Sequence, residues 1–186
     1  MTRWLRISLI VAVFGLVGVV LGLLLNGNSR ASYYPSGWHN FTFPTEKTIS
    51  VDELTQKFSG VLLPTWLPPG VKLREIYTWG DQAMLVYSRR EVKDYRDAEL
   101  TMELVKVSRS STPRTTLEHA TKVVSLGDIK AAIYEDVAPD SYMSARGRHP
   151  MVAVLDSNGI EYGICAIKES ISPDELERIV LSMETG

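Results

Sequence analysis

The stretch MVAVLDSNGIEYGICAIKESISPDELERIVLSM, from Met151 to Met183, decides the fold. Met151–Leu155 and Ile160–Lys168 are apolar runs of strand length, and Asp156-Ser157-Asn158-Gly159 between them is a hairpin turn. Ser172-Pro173-Asp174-Glu175 then combines an N-cap, a proline at the first helical position and a capping box. Leu176, Ile179, Val180 and Met183 form an apolar stripe, which predicts a helix at about 173–183. So short a helix is marginal in water, so it must dock on a sheet.

Working back from that stretch, the same signals recur. Val71–Trp79 and Ala83–Ser88 flank Gly80-Asp81-Gln82, and Val123–Leu126 and Ile129–Tyr134 flank Gly127-Asp128. Glu99–Val107 alternates, with Leu100, Met102 and Leu104 on one face. A second capping box, Ser50-Val51-Asp52-Glu53, opens a short amphipathic helix at about 51–59, with Val51, Leu54 and Phe58 on one side and Gly60 as its stop. Between helix and strands, Leu62–Gly70 holds three prolines, which fix φ and lack amide donors, so it reads as an extended connector. The fold class is therefore α+β: an antiparallel sheet of about seven strands, two helices on one face and water on the other, preceded by one transmembrane helix.

That membrane segment is Ile7–Leu25, ISLIVAVFGLVGVVLGLLL, with no charged residue. As a helix it would span about 28 Å, close to the ~30 Å hydrocarbon thickness. Arg3 and Arg6 precede it and Arg30 follows, which favours a cytoplasmic N-terminus. The run is longer than a signal-peptide core and lacks a small-x-small cleavage site, so it reads as an uncleaved signal anchor. Gly15, Gly18 and Gly22 share one helix face, a candidate surface for self-association through the membrane helix. The organisation is then a cytoplasmic tail at 1–6, an anchor at 7–25, a tether at 26–44 and an extracytoplasmic domain at 45–186. The tether carries Asn40-Phe41-Thr42, a formal glycosylation triplet.

The order of parts resembles an uncharacterised extracytoplasmic domain family carried on single membrane anchors in bacteria and archaea, some members being anti-sigma-factor-like. The resemblance covers about residues 50–184. It rests on Pro64-x-x-Leu67-Pro68-x-Gly70 before a strand and on a closing Ser-x-x-Glu-Leu helix, Ser172 to Leu176, after a strand containing Tyr162-Gly163. It implies an α+β domain and carries over no catalytic residue. Some relatives are described beside lipoprotein-carrier and sensor domains, which implies an alternative: a lipid-like apolar ligand held between sheet and helices. Only Met1–Arg6 precede the anchor, too little for an anti-sigma domain.

The chemistry of single residues is sparse. The full chain has 186 residues, 20 Lys+Arg against 22 Asp+Glu and a net charge of −2, which gives no reason to expect nucleic acid. All acids lie beyond the anchor. One cysteine, Cys165, excludes an intramolecular disulfide and reads as a buried hydrophobe. His39, His119 and His149 lack metal-ligand spacing, and the acidic run Glu135–Asp140 fits no calcium loop, so no metal or cofactor is expected. No nucleophile, Walker or dinucleotide motif occurs, so no catalytic residue and no enzyme is expected.

Arg89 to Glu99 mixes bases and acids and reads as neutralised. Arg146, Arg148 and His149 form a basic cluster without neighbouring acids, a candidate contact with anionic membrane head groups. Trp66, Tyr77, Trp79 and Tyr87 are candidates for lining a ligand groove. The reading is a non-enzymatic, membrane-tethered binding or sensing module whose partner is a protein or envelope component.

Overall fold

In the computed structural model, residues 48–107, 117, 120–139 and 141–185 are described. They belong to the second of two units, 33–186. The expected tail, anchor and tether, with Gly15, Gly18, Gly22, His39 and Asn40, lie outside the described residues, as do His119 and Asp140. None of the described helices is long and apolar enough to cross a membrane.

The elements are α1 (Val51–Lys57), β1 (Leu62–Pro64), β2 (Lys72–Trp79), β3 (Gln82–Ser88), β4 (Leu100–Lys106), β5 (Lys122–Leu126), β6 (Ile129–Tyr134), α2 (Ser141–Ser144), β7 (Pro150–Ser157), β8 (Ile160–Ile167), α3 (Pro173–Leu181) and β9 (Met183–Thr185). Seven strands make one antiparallel sheet in the order β2-β3-β4-β8-β7-β6-β5. The hairpin turns all sit at one end of it. In the β7–β8 turn Asn158 and Gly159 both have positive φ, 53° and 73°, which the two-residue turn requires and an asparagine or glycine supplies at least cost. Asn158 also donates from Nδ2 to the Gly60 carbonyl at 3.0 Å, holding the exit of α1.

Both capping boxes form: Ser50 closes on Glu53 and Ser172 on Glu175. Leu54 and Phe58 of the first helical segment and Leu176, Ile179 and Val180 of α3 are buried against Leu85, Leu100, Met102, Leu104, Leu155 and Ile164, so both helices cover one face. Val51 is exposed instead of sharing that face. The other face is not simply wet. It carries two smaller apolar clusters, Ala132, Tyr134, Val137, Val152 and Val154 on one side and Met84, Val86 and Ala98 on the other. Between them the alternation of β4, β7 and β8 places Glu103, Glu161 and Asp156.

Two local expectations change. The helix ends at Leu181, and Met183 reaches the core from β9. Leu62–Pro64, expected to be a bare connector, is strand β1 paired antiparallel with β9. The reason is a set of donors and acceptors a hundred residues away. Leu62 N–H donates to the Tyr162 hydroxyl at 2.8 Å, and Thr65 donates to the Ser182 carbonyl from N (3.1 Å) and Oγ1 (2.7 Å). Tyr162 is fully buried; burial pushes its hydroxyl up to about 12, opposed by the Leu62 amide. Arg178 is exposed and lies 4.0 Å over the Trp66 ring.

Candidate functional site

The long connections gather at the end of the sheet opposite the hairpin turns. There β3 and β8 finish, β4 and β7 begin, and the described chain passes through residues 89–99, 135–139, 141–149 and 168–172. Side chains fasten these loops to one another. Asp94 caps a single 3-10 turn, Tyr95–Asp97, by accepting from the Arg96 amide at 2.9 Å. The Arg96 guanidinium forks onto the same carboxylate, with Nε at 3.0 and 3.1 Å from its two oxygens. That hydrogen bond holds the Asp94 carboxyl below the usual carboxylate range; the Arg96 amide and the charges of Arg96 and Arg146 add to it, while burial opposes it.

Arg148 comes in from the strand-β7 side and donates to the carbonyls of Arg96 and Ala98. Glu99 accepts from the Arg89 amide at 2.7 Å, and the Arg89 guanidinium donates to the carbonyls of Pro69 (3.2 Å) and Ser170 (3.3 Å). The His149 amide donates to Glu169 at 3.1 Å and its Nδ1 lies 2.5 Å from the other oxygen.

These loops enclose a cleft of about 300 Å³ lined by Arg90, Asp97, Glu99, Arg146, Arg148 and Ser170. Three guanidinium groups face two carboxylates. Arg146 and Arg148 both approach Asp97, at 3.7 and 3.9 Å. The basic cluster that looks unopposed in sequence is therefore opposed in space, by Asp97 and Glu169. Arg148 is also largely withdrawn from solvent, its side chain 14% exposed against 47% for Arg146. Among the described residues, the Arg90 guanidinium has no ion-pair or hydrogen-bond partner; only its backbone amide is engaged, on Ser88 Oγ. Arg90, Asp97, Glu99 and Ser170 were not legible as site residues. Their own stretch is charge-balanced, and Arg146 arrives from about fifty positions on.

The four candidate groove aromatics do not line one groove. Tyr87 is buried in the helix-side core and Trp66 packs at its margin, whereas Tyr77 and Trp79 pack on the opposite face beside Met84 and Val86. Tyr77 donates to Glu75; burial first, then Glu75, pushes its hydroxyl up to about 12. Burial alone raises the Tyr87 hydroxyl.

Cys165 is a buried thiol on the second face. Asp156 and Glu161 stand directly opposite on β7 and β8, and Asp156 Oδ1 is buried with no hydrogen-bond partner among the described residues. Lys168 reaches Asp136 at 3.2 Å. Among the described residues no three His, Cys, Asp or Glu side chains form a group able to hold a metal ion. No protein-family model, curated protein or solved structure matches this chain.

Proposed function

We propose that the chain is a membrane-tethered extracytoplasmic binding or sensing module, non-enzymatic, that engages its partner through the loop end of the sheet. The observation that carries the binding part is the cleft with its unpaired Arg90 beside a half-exposed Arg146. Its working groups are guanidinium and carboxylate. Arginine stays protonated in proteins and offers only donors, so such a cleft recognises and orients rather than exchanging protons. The tethering part rests on the uncharged run from Ile7 to Leu25.

The alternative, a lipid-like ligand between sheet and helices, finds less support. Leu54, Phe58, Leu100, Met102, Leu176 and Ile179 fill that space at zero exposure, and close-packed side chains leave an acyl chain nothing to enter without displacing them. Topology is tested by reporters fused after Gly186 of the full chain. Alkaline phosphatase should be active, and a cytoplasmic reporter silent; the reverse pattern sinks the reading. Extraction of the full chain from mild detergent and mass spectrometry should return no lipid at stoichiometric occupancy that survives delipidating washes.

A further inference from the structure

The cleft has more to say about what it takes. We infer that it binds an oxyanion presenting two oxygens, a carboxylate or a phosphodiester, between Arg90 and Arg146. The inference deepens the binding reading and rests on it, but it is independent of topology.

The lining carries Arg90, Arg146 and Arg148 against Asp97 and Glu99, a surplus of one positive charge. Arg148 spends its donors on two backbone carbonyls, and Glu99 is engaged by the Arg89 amide at 2.7 Å. The surplus therefore resides on Arg90, with the half-exposed Arg146 on the same lining. A guanidinium offers parallel N–H donors that match two oxygens of one anion. The Glu99 carboxylate is answered from outside the lining by the Arg89 guanidinium at 3.6 Å, which leaves the donors of Arg90 to an incoming anion.

Geometry adds a third donor and a rigid wall. Ser170 lines the cleft; its amide and carbonyl are engaged, while its hydroxyl makes no hydrogen bond among the described residues. The Asp94–Arg96 fork, the two Arg148 bonds and the Arg89–Glu99 bond hold the loop that carries Asp97, so little ordering is required when a ligand arrives.

The cleft lies at the loop end of the sheet, away from where residues 48 and 49 join it. Thr48 pairs antiparallel with Tyr77, and Ile49 N–H donates to the Ile76 carbonyl at 3.0 Å. The chain thus enters the sheet from the hairpin end, at the opposite end of β2 from the cleft.

The test uses the full chain in an uncharged detergent, titrated at constant ionic strength with N-acetylglycine, with glycerophosphoglycerol and with chloride, binding being read by calorimetry and thermal shift. Saturable binding of either organic anion, with chloride inert, is expected, and the better of the two identifies the source. Arg90→Ala and Arg146→Ala should each weaken it about tenfold, as loss of a charged hydrogen bond implies, and Arg90→Lys by less. Because Arg90 is exposed, Arg90→Ala should leave the ligand-free melting temperature unchanged. Absence of saturation by both anions in the millimolar range overturns the proposal, as does binding indifferent to both substitutions. A response to phosphatidylglycerol in mixed micelles without one to either soluble anion overturns it as well. The fusion reporters can fail while the titration succeeds, so the two readings are separable.

Discussion

The two ends of the seven-stranded sheet are built on different rules. At the hairpin end, Gly80-Asp81, Gly127-Asp128 and Asn158-Gly159 turn the chain in the shortest way, and little side-chain chemistry is left over. At the loop end the connections are long, and the positions they hold are secured by side chains reaching to backbone: Arg148 to Arg96 and Ala98, Arg89 to Pro69 and Ser170. Backbone conformation specifies the first end and charged side chains the second. Polar groups that hold a loop also line the space beneath it, which is why the candidate site lies there and not among the turns.

The largest expected effect removes what both ends share. Deleting Ser172–Gly186 from the full chain takes away α3 and β9, and with them Leu176, Ile179, Val180 and Met183. At ~1.5–3 kcal/mol each, their burial rivals a typical total stability of ~5–15 kcal/mol. The cooperative thermal transition of the domain should vanish; a transition near that of the intact chain would show that the sheet stands without its helix.

Gly159→Val attacks the hairpin end alone. A β-branched residue at φ 73° should cost about 2–3 kcal/mol, read from denaturant midpoints. Anion binding by the folded fraction should persist, since the cleft is at the other end. Arg148→Ala attacks the loop end. It leaves two part-buried carbonyls without donors, at about 1–2 kcal/mol, and should loosen the Tyr95–Asp97 turn, seen as faster amide exchange at Ala98. If instead the amides of Asn158 and Gly159 exchanged faster, the two ends would not be separately held.

The smallest effect is a pH dependence confined to the loop end. Burial raises the Glu169 carboxyl, but the hydrogen bonds from His149 outweigh it and leave it below its ordinary 4.5. A folded value lowered in this way contributes stability that is present above the unfolded value and lost as pH falls through the folded one. The pair is largely exposed, so the contribution is small. The intact chain should lose slightly more stability than Glu169→Gln on acidification below about pH 4.5. Superimposable profiles would remove His149–Glu169 from the contacts that hold that end.

Most of the sheet was legible because its signals are local. The three turns, both capping boxes and all seven strands of the large sheet are written within a few residues of where they act. The β1–β9 ribbon was not legible. Three-residue strands carry no period, and Leu62–Pro64 is a strand only because Met183–Thr185 lies beside it. The cleft escaped for the same reason. Arg146 looks unopposed until folding brings Asp97 to it, and Arg90 looks neutralised until Glu99 turns away to the Arg89 amide. The aromatic set failed differently: Tyr77 and Tyr87 are an even number of positions apart, but the hairpin pairs Tyr77 with Met84, three positions before Tyr87, so the two end on opposite sides.

The ribbon that joins β1 to β9 also sets a clock. Thr65 and Ser182, which clasp each other, are 117 positions apart. At a synthesis rate of about 5–20 residues per second, Thr65 precedes its partner by roughly 6–23 s. Val61, Leu62 and Trp66 emerge at the start of that interval, and α3 and β9 only at its end. The segment 61–66 is thus a sticky apolar stretch with a scheduled end to its exposure, and a holding chaperone that bound it would be released by competition from the last elements of the same domain.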